Sequence, residues 1–232
     1  MKLVYRGKTK DVYESGDNAF CLKFSDRVTK NAEGEVDPGG NTVAEATVPG
    51  QAAACLQMSS TIFKELARQG LRTHMLDYDL EALTMTVKKA RLFSPGLEWV
   101  ARWVCTGSFL RRYGMVPGIE DGVRFAEPVF EITLKDDDAG DPLIVPSAIV
   151  ALGIVDVKSM EALEVANRQA LKGIHAMFDG RGLDLWDIKI EWALDSDGTP
   201  LLIDEVSPGS CRAFKKGTRE RVSGVALADY FA

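Results

Sequence analysis

The chain has 232 residues, of which 46% are hydrophobic and 27% are charged, the ordinary composition of a globular protein with a sizeable core. Its net charge is −6 and its lysines and arginines form no dense stripe, which argues against nucleic acid as a partner. No apolar run approaches the roughly 20 residues of a membrane span, the N-terminus lacks the apolar centre of a signal peptide, and the cysteines show no CxxC spacing. We therefore expect a cytoplasmic protein without a membrane partner, a zinc site or disulfides.

The N-terminal part of the chain predicts short strands, a long loop and a helix. Residues 29–50 are polar, rich in glycine and contain two prolines, and a loop of this length is usually functional or mobile. Apolar residues recur at helical spacing over 51–69, and Gly70 is a plausible stop. Alternating apolar residues and glycine turns predict strands at 3–6, 11–14, 20–24 and 83–93.

The C-terminal part predicts longer strands and two helices. Thr106-Gly107-Ser108 is expected to turn a strand at 98–105 into a helix. The longest helical pattern covers 159–179 and ends at Gly180. Further strands are predicted at 129–134 and in a hairpin at 187–206. Mostly antiparallel strands with a few helices indicate an α+β fold.

The predicted hairpin places two carboxylates close together. In IEWALDSDGTPLLIDE, Asp197-Gly198 is a strong two-residue turn signal between alternating runs. With that turn, Glu191 and Asp204 would lie directly opposite, with side chains roughly 5 Å apart. Like charges there are destabilising, and a divalent cation such as Mg²⁺ would reverse the effect. A solvated face or another register is the open alternative.

Several basic residues stand where an anion would bind. Lys8 and Lys10 follow a glycine between two strands, which suits a polyphosphate, although an ordinary lysine-bearing hairpin has the same pattern. Ser108 lies at a predicted helix start, where it would either face an anion or act as a plain N-cap. Arg102, between apolar strand residues, calls for an anionic partner, and Arg212 follows a Ser-Pro-Gly turn and suits bidentate phosphate recognition.

Other polar residues carry weaker signals. The segment KDDDAGDP at 135–142 is typical of an acidic turn. If it belongs to a functional site, its carboxylates would bind an amine or a cation. Lys189 alternates with Glu191 on one strand and would neutralise a phosphate or a carboxylate. His74 and His175 belong to no acidic or nucleophilic group, and we expect both to be structural.

Five motifs together resemble the SAICAR synthetase family of purine biosynthesis. They are, in order, LVYRGKTKDVY, LEWVARWVCTGSFLRR, KDDDAGDP, DIKIEW and LLIDEVSPGSCR, and they cover most of residues 3–212. The resemblance implies a two-lobed fold related to kinase-like and ATP-grasp architectures. It places an ATP-binding lobe at 1–92 and a substrate- and metal-binding lobe at 93–232, and it implies a homodimer.

The resemblance also implies a reaction and a set of site residues. An ATP-dependent ligase would join L-aspartate to the carboxylate of carboxyaminoimidazole ribotide through an acyl phosphate, releasing ADP and phosphate. Its catalytic residues would be Lys189 and Arg212, and its Mg²⁺ ligands Glu191 and Asp204. The nucleotide site would contain Lys8, Lys10, Val12, Lys89 and Glu98. The substrate site would contain Arg102, Ser108, Lys135, Asp137, Asp141, Ser210 and Arg212.

Some family residues are absent from this chain. The family usually has Ser-Pro-Asp where this chain has Ser207-Pro208-Gly209, and the C-terminal segment is shortened and lacks an expected Trp-Asp pair. We infer that if the purine reaction is kept, the acidic residues Glu33, Glu35 and Asp37 of the 29–50 loop would supply the missing carboxylate. A paralogous amide ligase of nucleoside natural-product biosynthesis and a nucleotide-binding protein without ligase activity remain alternatives.

Overall fold

The computed structural model describes residues 1–16, 18–30, 34, 36–37, 40 and 42–232. Its first elements are β1 (Leu3–Arg6), β2 (Lys10–Glu14), β3 (Ala19–Phe24), β4 (Arg27–Lys30), β5 (Thr42–Thr47), α1 (Gln51–Arg68), β6 (Met75–Asp79) and β7 (Thr84–Lys88). They are followed by β8 (Leu97–Val104), α2 (Gly107–Tyr113), β9 (Arg124–Leu134), α3 (Pro146–Ala151), α4 (Val157–Asp179), β10 (Leu183–Leu194), β11 (Pro200–Ile203), β12 (Cys211–Lys215), β13 (Arg221–Val222) and α5 (Gly224–Ala228).

Two antiparallel sheets form the frame of the molecule. The first has the strand order β1-β2-β3-β7-β6, and the second has the order β13-β12-β10-β8-β9. β10 is long enough to pair with β12 along its first half and with β11 along its second half. The α+β fold expected from the sequence is confirmed.

The sequence predicts one long loop at 29–50, but the structure has strands there. β4, which begins two residues before this segment, pairs with β5 inside it as an antiparallel hairpin. The prediction missed β5 because the apolar residues of its sequence, TVAEAT, do not alternate with polar ones, as is expected of a strand that is mostly exposed. Glu33 and Glu35, which we had named as acidic candidates, lie outside the described residues.

Helix α1 joins the two sheets into one hydrophobic core. Its buried residues Leu56, Phe63 and Leu66 belong to a cluster that also contains residues of both sheets and of α4. The N-cap residue of α1, Gly50, provides no side-chain cap, and the carboxylate of Asp26 accepts a hydrogen bond from the amide of Ala52 at 2.9 Å instead. An acceptor from another segment thus satisfies an otherwise free N-terminal N–H.

The predicted boundary at 92–93 falls in the connection between β7 and β8. Each side of it contains one of the two large sheets, yet the hydrophobic cluster is continuous across it. The division into two lobes therefore stays a prediction. Among the described residues, none of the helices combines the length and the apolar character needed to cross a bilayer.

Candidate active site

The turn between β1 and β2 carries two lysines that contact the other half of the chain. The amide of Gly7 donates to the carbonyl of Lys10 at 2.9 Å, and a Cβ at Gly7 would lie only 2.6 Å from that oxygen, so the turn requires glycine. Lys8 Nζ lies 2.6 Å from Asp137 in the acidic loop after β9. The buried Lys10 Nζ lies 2.8 Å from Asp204 and 2.9 Å from Glu205.

The predicted register of the β10–β11 hairpin is wrong by one residue. Glu191 pairs with Ile203, not with Asp204, because the two strands are joined by residues 195–199 rather than by a two-residue turn. A one-residue shift would send Asp204 to the opposite face of a regular strand. Asp204 instead follows β11 with φ of +65°, so its backbone leaves the strand direction.

Glu191 and Asp204 interact electrostatically despite the changed register. Burial, together with the negative charge of Asp204, raises the pKa of Glu191 above its ordinary value. Burial acts in the same direction on Asp204, but Lys10, Lys135 and Lys189 outweigh it and hold its pKa below the usual range. The two carboxylates therefore share one electrostatic environment, although they are not cross-strand partners.

Lysines surround these carboxylates. Lys135 Nζ contacts both oxygens of Glu191, at 2.7 and 2.9 Å. Lys189 Nζ lies 2.6 Å from Oε1 of the buried Glu98, whose Oε2 accepts from Thr133 at 3.1 Å. Burial alone would lower the pKa of Lys189, but Glu98 and Glu191 outweigh it and raise that pKa. Together with the Lys10–Asp204 pair, these two contacts make three lysine–carboxylate pairs that form one coupled cluster.

This donor set fits a magnesium ion that also binds a nucleotide. No group of three or more His, Cys, Asp or Glu residues suitable for a metal occurs in the described ranges. Mg²⁺ needs no such cage, because it is commonly held by one or two carboxylates together with substrate phosphates and water. The mutual repulsion of Glu191 and Asp204 is the unfavourable interaction that a dication would relieve.

His74 contacts the backbone of Asp204, one of the two candidate metal ligands. Its Nε2 lies 3.1 Å from the backbone oxygen of Asp204, and its ring meets Phe63 edge-on. Burial lowers the pKa of His74 to about 4, so the imidazole is neutral at pH 7. This arrangement agrees with the structural role expected for it.

A second charged cluster contains the two predicted phosphate-binding arginines. The buried Arg102 donates to Glu131 at 2.6 Å, to Asp187 at 2.9 Å and to the hydroxyl of Ser108 at 2.8 Å. Arg212 donates to the same Asp187 oxygen at 2.6 Å. The structure therefore brings Arg102, Ser108 and Arg212 together around Asp187. Ser108 lies inside α2, whose N-cap residue is Thr106, so it is not the N-cap.

Arg212 also contacts the segment between β4 and β5. Its NH2 lies 2.8 and 2.9 Å from the two carboxylate oxygens of Asp37. Asp37 thus reaches the site across 175 positions of sequence, and it lines the same cavity as Gly209. The expectation that an acidic residue of this segment approaches Gly209 agrees with this placement.

Four further residues predicted for the site, Val12, Lys89, Asp141 and Ser210, lie in separate parts of the fold. Val12 is in β2 opposite Leu22, and Lys89 Nζ lies 5.1 Å from the ring centre of Phe20. The carboxylate of Asp141 accepts from the amide of Asp136 at 3.0 Å. The Ser210 hydroxyl donates to the carbonyl of Ser207, which ties the Ser-Pro-Gly turn to itself.

Motif reasoning missed three carboxylates of the site. Glu131 and Asp187 hold the arginines, and Glu205 holds Lys10. Asp187 and Glu205 lie inside two of the recognised motifs, but only the pairing of distant strands shows which cation each one contacts. Oδ1 of Asp187 and Oε2 of Glu205 are buried and have no hydrogen-bond partner among the residues that the structure describes.

Known proteins resemble this chain over nearly its whole length. The family model for SAICAR synthetase matches residues 3–226. The phosphoribosylaminoimidazole-succinocarboxamide synthase of Clostridium tetani is 38% identical over 218 residues, which are 94% of this chain and 94% of that protein.

Solved structures agree with these sequence matches. The crystal structure of phosphoribosylaminoimidazole-succinocarboxamide synthase from Ehrlichia chaffeensis has a TM-score of 0.84 at 23% identity and covers 99% of this chain and 95% of that one. A SAICAR synthetase in complex with ADP has a TM-score of 0.82 at 26% identity, covering 94% of this chain and 87% of that one. The resemblance of the five motifs is thereby confirmed: the chain belongs to the SAICAR synthetase family.

Proposed function

We propose that this chain is the ATP-dependent ligase that joins L-aspartate to the carboxylate of carboxyaminoimidazole ribotide in purine biosynthesis. Family membership over residues 3–226 supports the reaction. The observation that carries the proposal at the site is the coupled cluster in which Lys10, Lys135 and Lys189 face Asp204, Glu191 and Glu98. Phosphoryl transfer depends on this kind of positioning and charge neutralisation rather than on covalent help from the protein.

The proposed reaction has two chemical steps. An oxygen of the ribotide carboxylate attacks the γ-phosphorus of ATP, a new O–P bond forms, and the bond to the leaving ADP breaks. The aspartate nitrogen then attacks the acyl carbon, the C–O bond to phosphate breaks, and the nitrogen loses a proton as the amide forms. ATP use has support from the relative that was solved with ADP.

The nucleotide end of the site is assigned to the N-terminal turn. Lys8 and Lys10 would bind the ATP phosphates, Val12 would face the adenine, and Lys89 and Glu98 would complete the pocket. Glu191 and Asp204 would hold Mg²⁺, which neutralises charge on the transferring phosphoryl group. Lys189 would bind the carboxylate oxygens that carry negative charge in the first step.

The ribotide end of the site is assigned to the arginine cluster. Arg102, Ser108 and Arg212 would bind the 5′-phosphate, with Arg212 also close to the reacting groups. Oδ1 of Asp187, which has no hydrogen-bond partner among the described residues, is a buried acceptor suited to a hydroxyl of the ligand. Lys135, Asp137, Asp141 and Ser210 would complete the substrate region.

Two alternatives have less support. The paralogous ligase rests on the departures at Gly209 and at the expected Trp-Asp pair, whereas the similarity to purine synthases extends over 94% of the chain. A binding protein without ligase activity has no need of Lys189 and Glu98 paired beside the metal carboxylates. The homodimer and the cytoplasmic location stay predictions.

An assay of the purified protein tests this proposal. With ATP, Mg²⁺, the ribotide and L-aspartate, we expect one ADP and one succinocarboxamide ribotide per turnover, identified by mass spectrometry. Lys189→Met should abolish turnover, while Lys158→Met, at an exposed position of α4, should not change it. Tight ATP binding without amide product from the unmodified protein would contradict the assignment.

A further inference from the structure

Asp204 has a backbone conformation that a residue next to a strand rarely adopts. β11 ends at Ile203, and Asp204 follows it with a φ of +65°. This left-handed region is unfavourable for a residue with a Cβ, although aspartate tolerates it better than most side chains do. Because the direction of a side chain follows from the backbone angles of its residue, this conformation determines where the Asp204 carboxylate lies. A contact that holds the backbone would therefore also hold the carboxylate.

The imidazole of His74 makes such a contact. Its Nε2 lies 3.1 Å from the backbone oxygen of Asp204, and His74 is only 5% exposed. A carbonyl oxygen can only accept a hydrogen bond, so Nε2 must carry a hydrogen. His74 is thus a hydrogen-bond donor to the backbone of a candidate metal ligand.

The backbone of His74 is fixed between the two sheets. Its amide donates to the carbonyl of Leu202 in β11 at 2.9 Å, and its carbonyl accepts from the amide of Lys88 in β7 at 2.8 Å. Its ring meets Phe63 of α1 edge-on, with 5.6 Å between the ring centres. These contacts leave the imidazole little freedom, since any shift of the ring would require a shift of a strand or of α1.

The carboxylate of Asp204 has a separate partner. Lys10 Nζ lies 2.8 Å from Oδ1 of Asp204 and 2.9 Å from Glu205, so one ammonium group serves two carboxylates. A cation bound at the Asp204 carboxylate would compete with Lys10 for the same oxygens. The His74 contact is on the backbone oxygen, where this competition does not occur. The His74 hydrogen bond can therefore hold Asp204 both before and after a cation binds.

We propose that His74 is a positioning residue of the metal–nucleotide site. Its Nε2–H group holds Asp204 in the left-handed conformation and thereby keeps the carboxylate where it can bind Mg²⁺. Groups that orient a metal ligand change metal affinity without touching the metal. The proposal rests on the proposed function, which assigns Asp204 to Mg²⁺. A histidine that only filled the core would need its ring but not its donor, and this difference can be tested.

Nuclear magnetic resonance of the ring nitrogens tests the hydrogen bond in the unmodified protein. His74 and His175 are the two histidines of the chain, and His175→Gln removes the second set of signals. At neutral pH we expect Nε2 of His74 to show the chemical shift and the hydrogen coupling of a protonated nitrogen, and Nδ1 those of an unprotonated one. A His74 ring protonated on Nδ1 alone would overturn the proposal.

Two substitutions separate the donor from the ring. His74→Phe keeps an aromatic ring and removes the donor, whereas His74→Gln keeps an N–H donor on an unbranched side chain. For His74→Phe we expect the calorimetric Kd for ADP in the presence of Mg²⁺ to rise about 10-fold, with the Kd measured in EDTA within twofold of the original. His74→Gln should retain most of the Mg²⁺-dependent affinity. His175→Phe is the matched control, because His175 packs against Trp103 with 4.7 Å between the ring centres, and neither Kd should change.

The outcomes separate this proposal from the proposed function. Equal losses of affinity with Mg²⁺ and with EDTA in His74→Phe would show a purely structural role and would overturn the proposal alone. An unchanged Kd in His74→Phe would overturn it as well. Should that variant not fold, the nitrogen spectra of the unmodified protein still decide. If Mg²⁺ does not strengthen ADP binding to the unmodified protein, the metal assignment of the proposed function fails, and the role of His74 fails with it.

Discussion

At the residue scale, the cations assigned to substrate binding already have carboxylate partners. Lys10, Lys135, Lys189, Arg102 and Arg212 all lie within 2.9 Å of an acidic oxygen. Lys10 and Arg102 are buried, and an unpaired buried charge costs several kcal/mol, so the chain has to supply anions for them. A bound phosphate or carboxylate would then replace one of these carboxylate partners. It would not neutralise a cation that had no partner before.

Glu191→Gln tests the metal assignment. We expect Mg²⁺-dependent ADP release to fall about 100-fold, because one of the two carboxylate ligands is lost. Thermal stability should be kept, since the change removes repulsion with Asp204 and leaves Lys135, whose side chain is 48% exposed, in contact with water. A magnesium titration of ADP release together with a melting curve measures both effects. The exposed Glu127→Gln is the control, and full activity of Glu191→Gln would remove the metal assignment.

Gly209→Ala tests whether the backbone needs a glycine at this departure from the family. Glycine in a turn commonly adopts positive φ, but Gly209 lies outside the left-handed region and has room for a Cβ. Alanine should therefore stabilise the protein by about 0.4–1 kcal/mol, by restricting the unfolded chain. Gly107→Ala should destabilise it, because φ is +55° and the Cβ would lie 3.0 Å from Arg212. Urea unfolding distinguishes the two; destabilisation by Gly209→Ala would contradict the reasoning.

At the element scale, tertiary contacts select the β10–β11 hairpin loop. The amide of Asp195 donates to the carbonyl of Thr199 at 2.8 Å and closes the loop. The Asp195 side chain lies 2.6 Å from Lys88 of the first sheet, and Asp197 lies 2.8 Å from Arg72. These partners are distant in sequence. They stabilise a longer loop than the Asp-Gly signal alone predicts, and the longer loop shifts the register by one.

Asp197 gives this loop a pH dependence. The amide of Thr199 and the Arg72 guanidinium hold the pKa of Asp197 below its ordinary value of 3.8. Its contribution to stability is therefore complete above pH 3.8 and is lost as the pH falls through the lower folded pKa. We expect the stability of the unmodified protein to decline more steeply below pH 3.8 than that of Asp197→Asn, measured by urea unfolding. Parallel curves would show that the loop contacts have no effect on folding.

At the scale of the whole molecule, the two sheets are connected by backbone as well as by packing. Thr73 and Leu202 form a parallel bridge, and Arg91 and Leu194 form an antiparallel one. The amide of His74 donates to the carbonyl of Leu202 at 2.9 Å. Together with the continuous hydrophobic cluster, these contacts predict that residues 1–92 and 93–232 unfold together.

Met85→Ala tests this cooperativity. Met85 is fully buried in β7 of the first sheet, and its truncation should cost about 2–5 kcal/mol. All four tryptophans lie after residue 93, so their fluorescence reports on the second part of the chain only. We expect the denaturation midpoint by tryptophan fluorescence to fall as far as the midpoint by circular dichroism. An unchanged fluorescence midpoint would support two independently unfolding lobes.

The sequence by itself determined the elements with strong local periodicity and the chemistry carried by short motifs. Helices α1 and α4 and most strands were predicted because their apolar residues repeat within a few turns or pleats. Family membership followed from five motifs because each keeps its residue types at fixed spacing along the chain. These properties need no knowledge of which segments meet.

Only the tertiary structure decided which charged groups meet. Three features depend on contacts between distant segments. They are the register that separates Glu191 from Asp204, the contact of Asp37 with Arg212, and an Oε2 of Glu205 that has no hydrogen-bond partner in the described part of the chain. No local pattern encodes these features, because each results from long-range strand pairing and burial. Among the many possible pairings of carboxylates with cations, the folded chain makes one the most favourable. Local periodicity selects the elements, whereas the pairing of buried charges across the whole fold selects the site.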